Sequence, residues 1–206
     1  MEYFELGIYK DKLRDAFSQN EDIVSLIMPV PENGSLSLRE NFLGGEYDIT
    51  TTDDTGSTHK EHVVLQGFCQ DRPFPCAVST DHRNLLCVDS LIVKADGRAA
   101  REITLQIYVM IHKDAVRLSP SEAESFILKG YSGNRCDMAV QAIGRLLGFT
   151  GSTPASNSVA QKSGNLPGLG RLYPAIKDTV TTYTQSNDYY GKILTFTCTD
   201  FIPCSR

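Results

Sequence analysis

Two histidines and two cysteines fall within eighteen residues: His59 and His62, then Cys69 and Cys76. Thiolate sulfur and imidazole nitrogen are the ligands of tetrahedral zinc, so a small metal- or cysteine-dependent hydrolase is one reading of this segment. The spacing argues against it. Six residues separate Cys69 from Cys76, where structural sites use two to four. His59 and His62 also lie at the mouth of a strand, three positions apart, and so point to opposite faces. Asp54-Thr55-Gly56 spells the aspartic-protease triplet, but that chemistry needs a tight turn after an apolar strand, and Thr51-Thr52-Asp53 leads in instead. A turn in a polar segment accounts for these residues. The acidic stretch Asp48 to Asp54 lacks the alternating ligands of a calcium loop. Neither a G-x-S-x-G elbow nor a Walker A or G-x-G-x-x-G loop is present, and Gly168-Leu169-Gly170 is too short to count as one. His112, at a strand end, reads as a surface or partly buried histidine rather than a catalyst. The expectation is a chain that is not an enzyme, with no catalytic, cofactor-binding or metal-binding residues and no cofactor.

The elements are clearer than the chemistry. Glu102 to His112 reads E-I-T-L-Q-I-Y-V-M-I-H, which puts Ile103, Leu105, Ile107, Val109 and Ile111 on one face of a strand. Leu85 to Val93 is a nearly continuous apolar run, as in a strand covered on both faces. Asp96-Gly97 joins the two as a hairpin. After a polar loop, Gly133-Asn134-Arg135-Cys136-Asp137 opens a helix with Cys136, Ala139, Val140, Ile143, Leu146 and Leu147 at helical spacing, stopped by Gly148. Asp137 suits the first turn, whereas Arg135 there needs a carboxylate partner, in this chain or a neighbouring one. Ser119-Pro120-Ser121-Glu122 opens a shorter helix. Residues 5–28 are helical, in one bent piece or two, with Asn20 or Asp22 as a cap and Pro29 as the end. A strand near Glu46 to Thr52, another at His62 to Phe68 and a late strand from Lys192 to Ile202 complete the reading.

The expected architecture is α+β: a mixed or antiparallel sheet with helices packed on one face and long inter-subunit loops. It is one domain, 1–206. Its parts are an N-terminal helix at 5–28, a long loop at 30–60 and a sheet-and-helix core at 61–148. An extended loop at 149–175 and a C-terminal strand at 190–202 follow. The chain has 206 residues, 41% hydrophobic and 22% charged, which is enough for a sizeable core. A net charge of -5 without clustered Lys and Arg argues against a general nucleic-acid binder. No apolar run approaches the roughly 20 residues that cross a bilayer, so no membrane partner is expected. The N-terminus lacks the basic start and apolar centre of a secretory signal, which points to a cytoplasm and to six reduced cysteines.

This order of parts resembles the tail-terminator and head–tail joining proteins of long-tailed bacteriophages. The residues that carry the resemblance are Leu13-Arg14-Asp15-Ala16-Phe17 with Ile23-Val24, the strand Ile103 to Ile111, Gly133-Asn134-Arg135-Cys136-Asp137 with Ile143, Leu146 and Leu147, and Tyr190-Gly191-Lys192-Ile193-Leu194-Thr195-Phe196. The resemblance implies a structural virion protein, assembled in the host cytoplasm and located in the neck or tail. It implies a ring homo-oligomer, six subunits in number, that caps the tail tube or joins it to the capsid connector. Other neck, connector and tail-tube proteins are then its partners, and DNA passes the lumen without specific binding. The 30–60 and 149–170 segments depart from the compact family pattern. A non-phage binding module, with 30–60 as its recognition surface, is the remaining alternative.

Overall fold

The computed structural model describes residues 5–71, 84–96, 100–147, 172–174, 180–183 and 188–201. The N-terminal helical segment is two helices, α1 (Glu5–Ser18) and α2 (Glu21–Ile27). Asn20 breaks them: its side chain accepts from Ile23 N at 3.0 Å and caps α2. Pro29 follows the end of α2. Tyr9, Leu13 and Phe17 on α1 and Ile23, Val24, Leu26 and Ile27 on α2 are buried together.

The 30–60 segment is not the long loop expected. It holds a third helix, α3 (Leu38–Leu43), and most of a two-stranded antiparallel arm, β1 (Gly45–Thr52) and β2 (Thr58–Leu65). A capping box starts α3, with Ser37 and Glu40 bonded reciprocally. The strand expected at His62 to Phe68 begins earlier and stops at Leu65, because Gly67 sits at φ +69 and turns the chain.

Among the described residues the main sheet is six-stranded and mixed. Its path is β3 (Cys69–Gln70), β4 (Leu85–Asp96), β5 (Ala100–His112), β8 (Tyr189–Phe201) and β6 (Leu172–Pro174), with β7 (Val180–Tyr183) also on the β8 edge. β3 is parallel to β4 and the other pairs are antiparallel. β4 and β5 form the expected hairpin, with a register shift between Ser90 and Ile92. Ile103, Leu105, Ile107, Val109 and Ile111 are all fully buried, as their alternation requires. They meet Leu86 and Val88 of β4 and Leu194 and Phe196 of β8 under the helices. The opposite face carries a smaller buried cluster of Leu85, Cys87, Met110 and Tyr189.

Two further helices, α4 (Pro120–Leu128) and α5 (Arg135–Leu146), follow a single 3-10 turn at Lys113–Ala115. The chain is therefore α+β, with a mixed sheet carrying its main helical core on one face. On α5 the expected apolar face is wider than one stripe: Met138 and Ala142 are buried beside Cys136, Ala139 and Ile143. α5 lies between the sheet and α2, so two sides of it are covered. Among the described residues no helix is long and apolar enough to cross a membrane. The expected stop at Gly148, most of the 149–175 segment, Cys76 and Ile202 lie outside the described residues.

Candidate functional site

Each residue of Gly133-Asn134-Arg135-Cys136-Asp137 has a definite task. Gly133 holds φ +100, and a Cβ there would sit 2.6 Å from Asp137 Oδ2. Only glycine lets Asp137 fold back over the turn. Asn134 is the N-cap: its Oδ1 accepts from Asp137 N at 3.0 Å, and Asp137 Oδ2 accepts from Asn134 N at 3.1 Å. Cys136 is fully buried, and its Sγ donates to Val109 O on β5 at 3.8 Å.

Asp137 has a second partner. Its Oδ1 accepts a charge-assisted bond from Lys192 Nζ on β8. This bond joins two of the segments that carry the resemblance, the start of α5 and the Tyr190–Phe196 strand. They are 55 positions apart in the chain. The Leu13–Phe17 segment is bolted down in the same way. Arg14 donates to Cys69 O at 3.3 Å and Leu43 O at 3.1 Å, and Asp15 pairs with Arg39 at 2.6 Å.

Arg135 is only 4% exposed. Its carboxylate partner is in the same chain: Glu122 Oε1, 3.0 Å from Nη2. Nε donates to Ala115 O at 2.8 Å and Nη1 to Ser25 O at 3.5 Å. One guanidinium thus ties α5 to α4, to the 3-10 turn and to α2, which is what its planar fork suits. Glu122 closes the capping box of α4 through Ser119 N at 2.9 Å and Ser119 Oγ at 2.8 Å. The Ser119 amide, then the Ser119 hydroxyl and the Arg135 guanidinium, hold its carboxyl down at about 2 against the opposing effect of burial. The folded value lies below the unfolded one. The stabilisation is therefore complete above about pH 4.5 and is lost as pH falls toward 2. After discounting for partial exposure, acid titration of Glu122 removes about 1–2 kcal/mol. Urea midpoints measured between pH 6 and pH 3 should fall for the parent chain and fall less for Glu122→Gln.

Of the residues in the hydrolase reading, His59, His62 and Cys69 are described and are not brought together into a site, and Cys76 lies outside the described residues. His59 and His62 are exposed on the arm. His59 Nε2 lies 3.1 Å from Asp53 Oδ2, and His62 Nδ1 lies 2.9 Å from Asp48 Oδ1, its partner in the register. The Asp48 carboxylate raises the pKa of His62. Cys69 is fully buried in β3, and burial pushes its thiol up to about 12. A thiol so placed is neither a nucleophile nor a ready ligand at neutral pH. Cys136 is likewise pushed to about 12 by burial. Alkylation of Cys69 and Cys136 in the native protein should be many times slower than in urea, followed residue by residue in peptide digests. Among the described residues no group of three or more His, Cys, Asp and Glu could hold a metal ion.

Two of the other singled-out groups have definite local partners, and His112 is more deeply buried than expected. Asp53 Oδ1 accepts from Thr55 N and Ser57 N, each at 2.9 Å, so Asp54-Thr55-Gly56 is the turn at the tip of the arm. His112 is buried, edge-on to Tyr189 at 5.6 Å, and its Nδ1 accepts from Asp114 N at 3.4 Å.

Comparison with protein-family models, with curated proteins and with solved structures finds no match to this chain.

Among the described residues the arm is a candidate functional surface. Among the described residues β1 and β2 pair only with each other. On one side, Ile49 is 8% exposed and Tyr47, Val63 and Leu65 are partly covered. On the other side Glu46, Asp48, Thr50, Thr52, Thr58, Lys60, His62 and Val64 are all exposed, Val64 to 65%. Sequence reading missed the root of this arm. Gly44 and Gly67 cross there with backbones in contact, at φ +70 and +69. The signal was a Gly-Gly pair at one end of the segment and a lone glycine at the other.

Proposed function

We propose that this chain is a structural subunit of the head–tail junction of a long-tailed phage, which closes a ring by repeating one interface. The observation that carries the reading is the β1–β2 arm. Its outer face is wholly exposed, and an isolated two-stranded ribbon is marginal in water unless something packs on it. A ring supplies such packing, because a heterologous interface puts one subunit's projecting element on a different surface of the next. The sequence resemblance supports the same reading. Its residues form the internal frame of the fold, as expected where a family shares a scaffold and varies its contact surfaces. The net charge of -5 suits a lumen that passes DNA without gripping it. The virion neck, rather than the free cytoplasm, is the final location on this reading. Six subunits per ring, neighbouring neck and tail-tube partners, and a role without catalysis belong to it as well. Native mass spectrometry of the purified chain at micromolar concentration tests it: a single closed oligomer is expected, and a strict monomer at every concentration argues instead for a binding module.

A further inference from the structure

The five arginines whose side chains are described divide unevenly. Arg14, Arg39, Arg135 and Arg145 each donate to main-chain carbonyls or to a carboxylate. Arg117 makes no hydrogen bond or ion pair among the described residues, and it is exposed. It lines an open cavity of about 400 Å³ with Lys113, Asp114, Val116, Tyr189 and Tyr190. Lys113 is already paired with Asp188 at 2.6 Å, and the Asp114 carboxylate lies 3.5 Å from His112 Nδ1. Among the described residues Arg117 is thus the cation of this hollow with no ion pair, beside the 37% exposed Tyr190, and it shares the hollow with the Asp114 carboxylate. A guanidinium and tyrosines around a small apolar floor form the composition that dominates protein interfaces.

An anion that matches Arg117 is at the tip of the arm. Asp54 is exposed and has no hydrogen bond or ion pair among the described residues. Its neighbour Asp53 fixes the turn through Thr55 and Ser57, so Asp54 is presented on a preorganised loop. The arm has eight residues per strand, and at about 3.3 Å per residue it is about 26 Å long, the scale of a small domain. We propose that the tip of the arm docks in the Arg117 hollow of the adjacent copy, with Asp54 paired to Arg117 and the turn seated against Tyr190. This rests on the ring reading and names its repeated contact.

Charge reversal tests the contact. Arg117→Glu and Asp54→Arg are made singly and together, and assembly is followed by native mass spectrometry with melting temperature as a check on the fold. Each single reversal should weaken assembly roughly tenfold or more, and the double reversal should restore it. If a single reversal lowers the melting temperature, Arg117→Gln and Asp54→Asn replace it, with the same loss expected. Rings that form equally well with either single change overturn the contact and leave the ring reading standing. Loss without recovery in the double variant overturns the pairing of these two residues. An unaltered chain that never assembles overturns the ring reading and the contact together.

Discussion

Arg135→Ala lowers the stability of the folded chain by about 3 kcal/mol. The change removes the one group that serves Glu122, Ala115 O and Ser25 O together. Both carbonyls then lose a charged donor. Glu122 keeps its Ser119 bonds and is 36% exposed, so the loss falls at the low end for a broken buried pair. Arg135→Lys keeps the charge but not the fork, and should recover less than half of the loss. A double-mutant cycle with Glu122→Ala separates the ion pair from the two carbonyl bonds. Equilibrium urea unfolding measures the parent, Arg135→Ala, Arg135→Lys, Glu122→Ala and the double variant; an Arg135→Ala midpoint equal to the parent's would show that the guanidinium links nothing.

Gly67→Ala should be at least as damaging, by about 3 kcal/mol or more, and damaging in a different place. The new Cβ would lie 2.5 Å from Leu43 C, Leu43 O and Gly44 N. All three are backbone atoms, so no side-chain rotation relieves the clash. The left-handed φ of +69 adds strain for any residue with a Cβ. Gly56 at the tip is the control. Its φ is +83, but nothing lies within 4 Å of an added Cβ, so Gly56→Ala should cost only about 1 kcal/mol. Hydrogen exchange should show that Gly67→Ala loosens the root of the arm, where Phe68 N donates to Phe42 O at 2.9 Å. Equal effects of the two substitutions would mean that the crossing of Gly44 and Gly67 is not tight.

These two sites mark where sequence reasoning reaches and where it stops. Ile103 to Ile111 announces its buried face because one side of β5 is covered and the other is only partly covered. The α5 start was equally readable, since Asn134 and Asp137 obey a local capping rule. The partner of Arg135 was not readable. Glu122 sits 13 positions away on another helix, and only the fold decides between it and a carboxylate on a neighbour. The Asp137–Lys192 bond, 55 positions long, was hidden for the same reason. The arm was half seen. β1 and β2 are rich in Thr, Asp, Glu and His, so the alternation of Tyr47 with Ile49 and of Val63 with Leu65 against exposed neighbours is too short and too polar to stand out. α3 is six residues long and shows through its capping box rather than its periodicity. The short strands β6 and β7 are held by pairing with β8 and carry little signal of their own. The His59, His62 and Cys69 grouping was close in sequence and meant little in space, because one pair faces water and the third is sealed in the core.

Electron microscopy of the purified chain, alone and mixed with tail tubes, tests the central claim most directly. The account predicts closed rings of identical subunits, with each arm laid on its neighbour and the rings seated at tube ends. Single particles of one chain's mass in both samples, with tube ends bare, would contradict it.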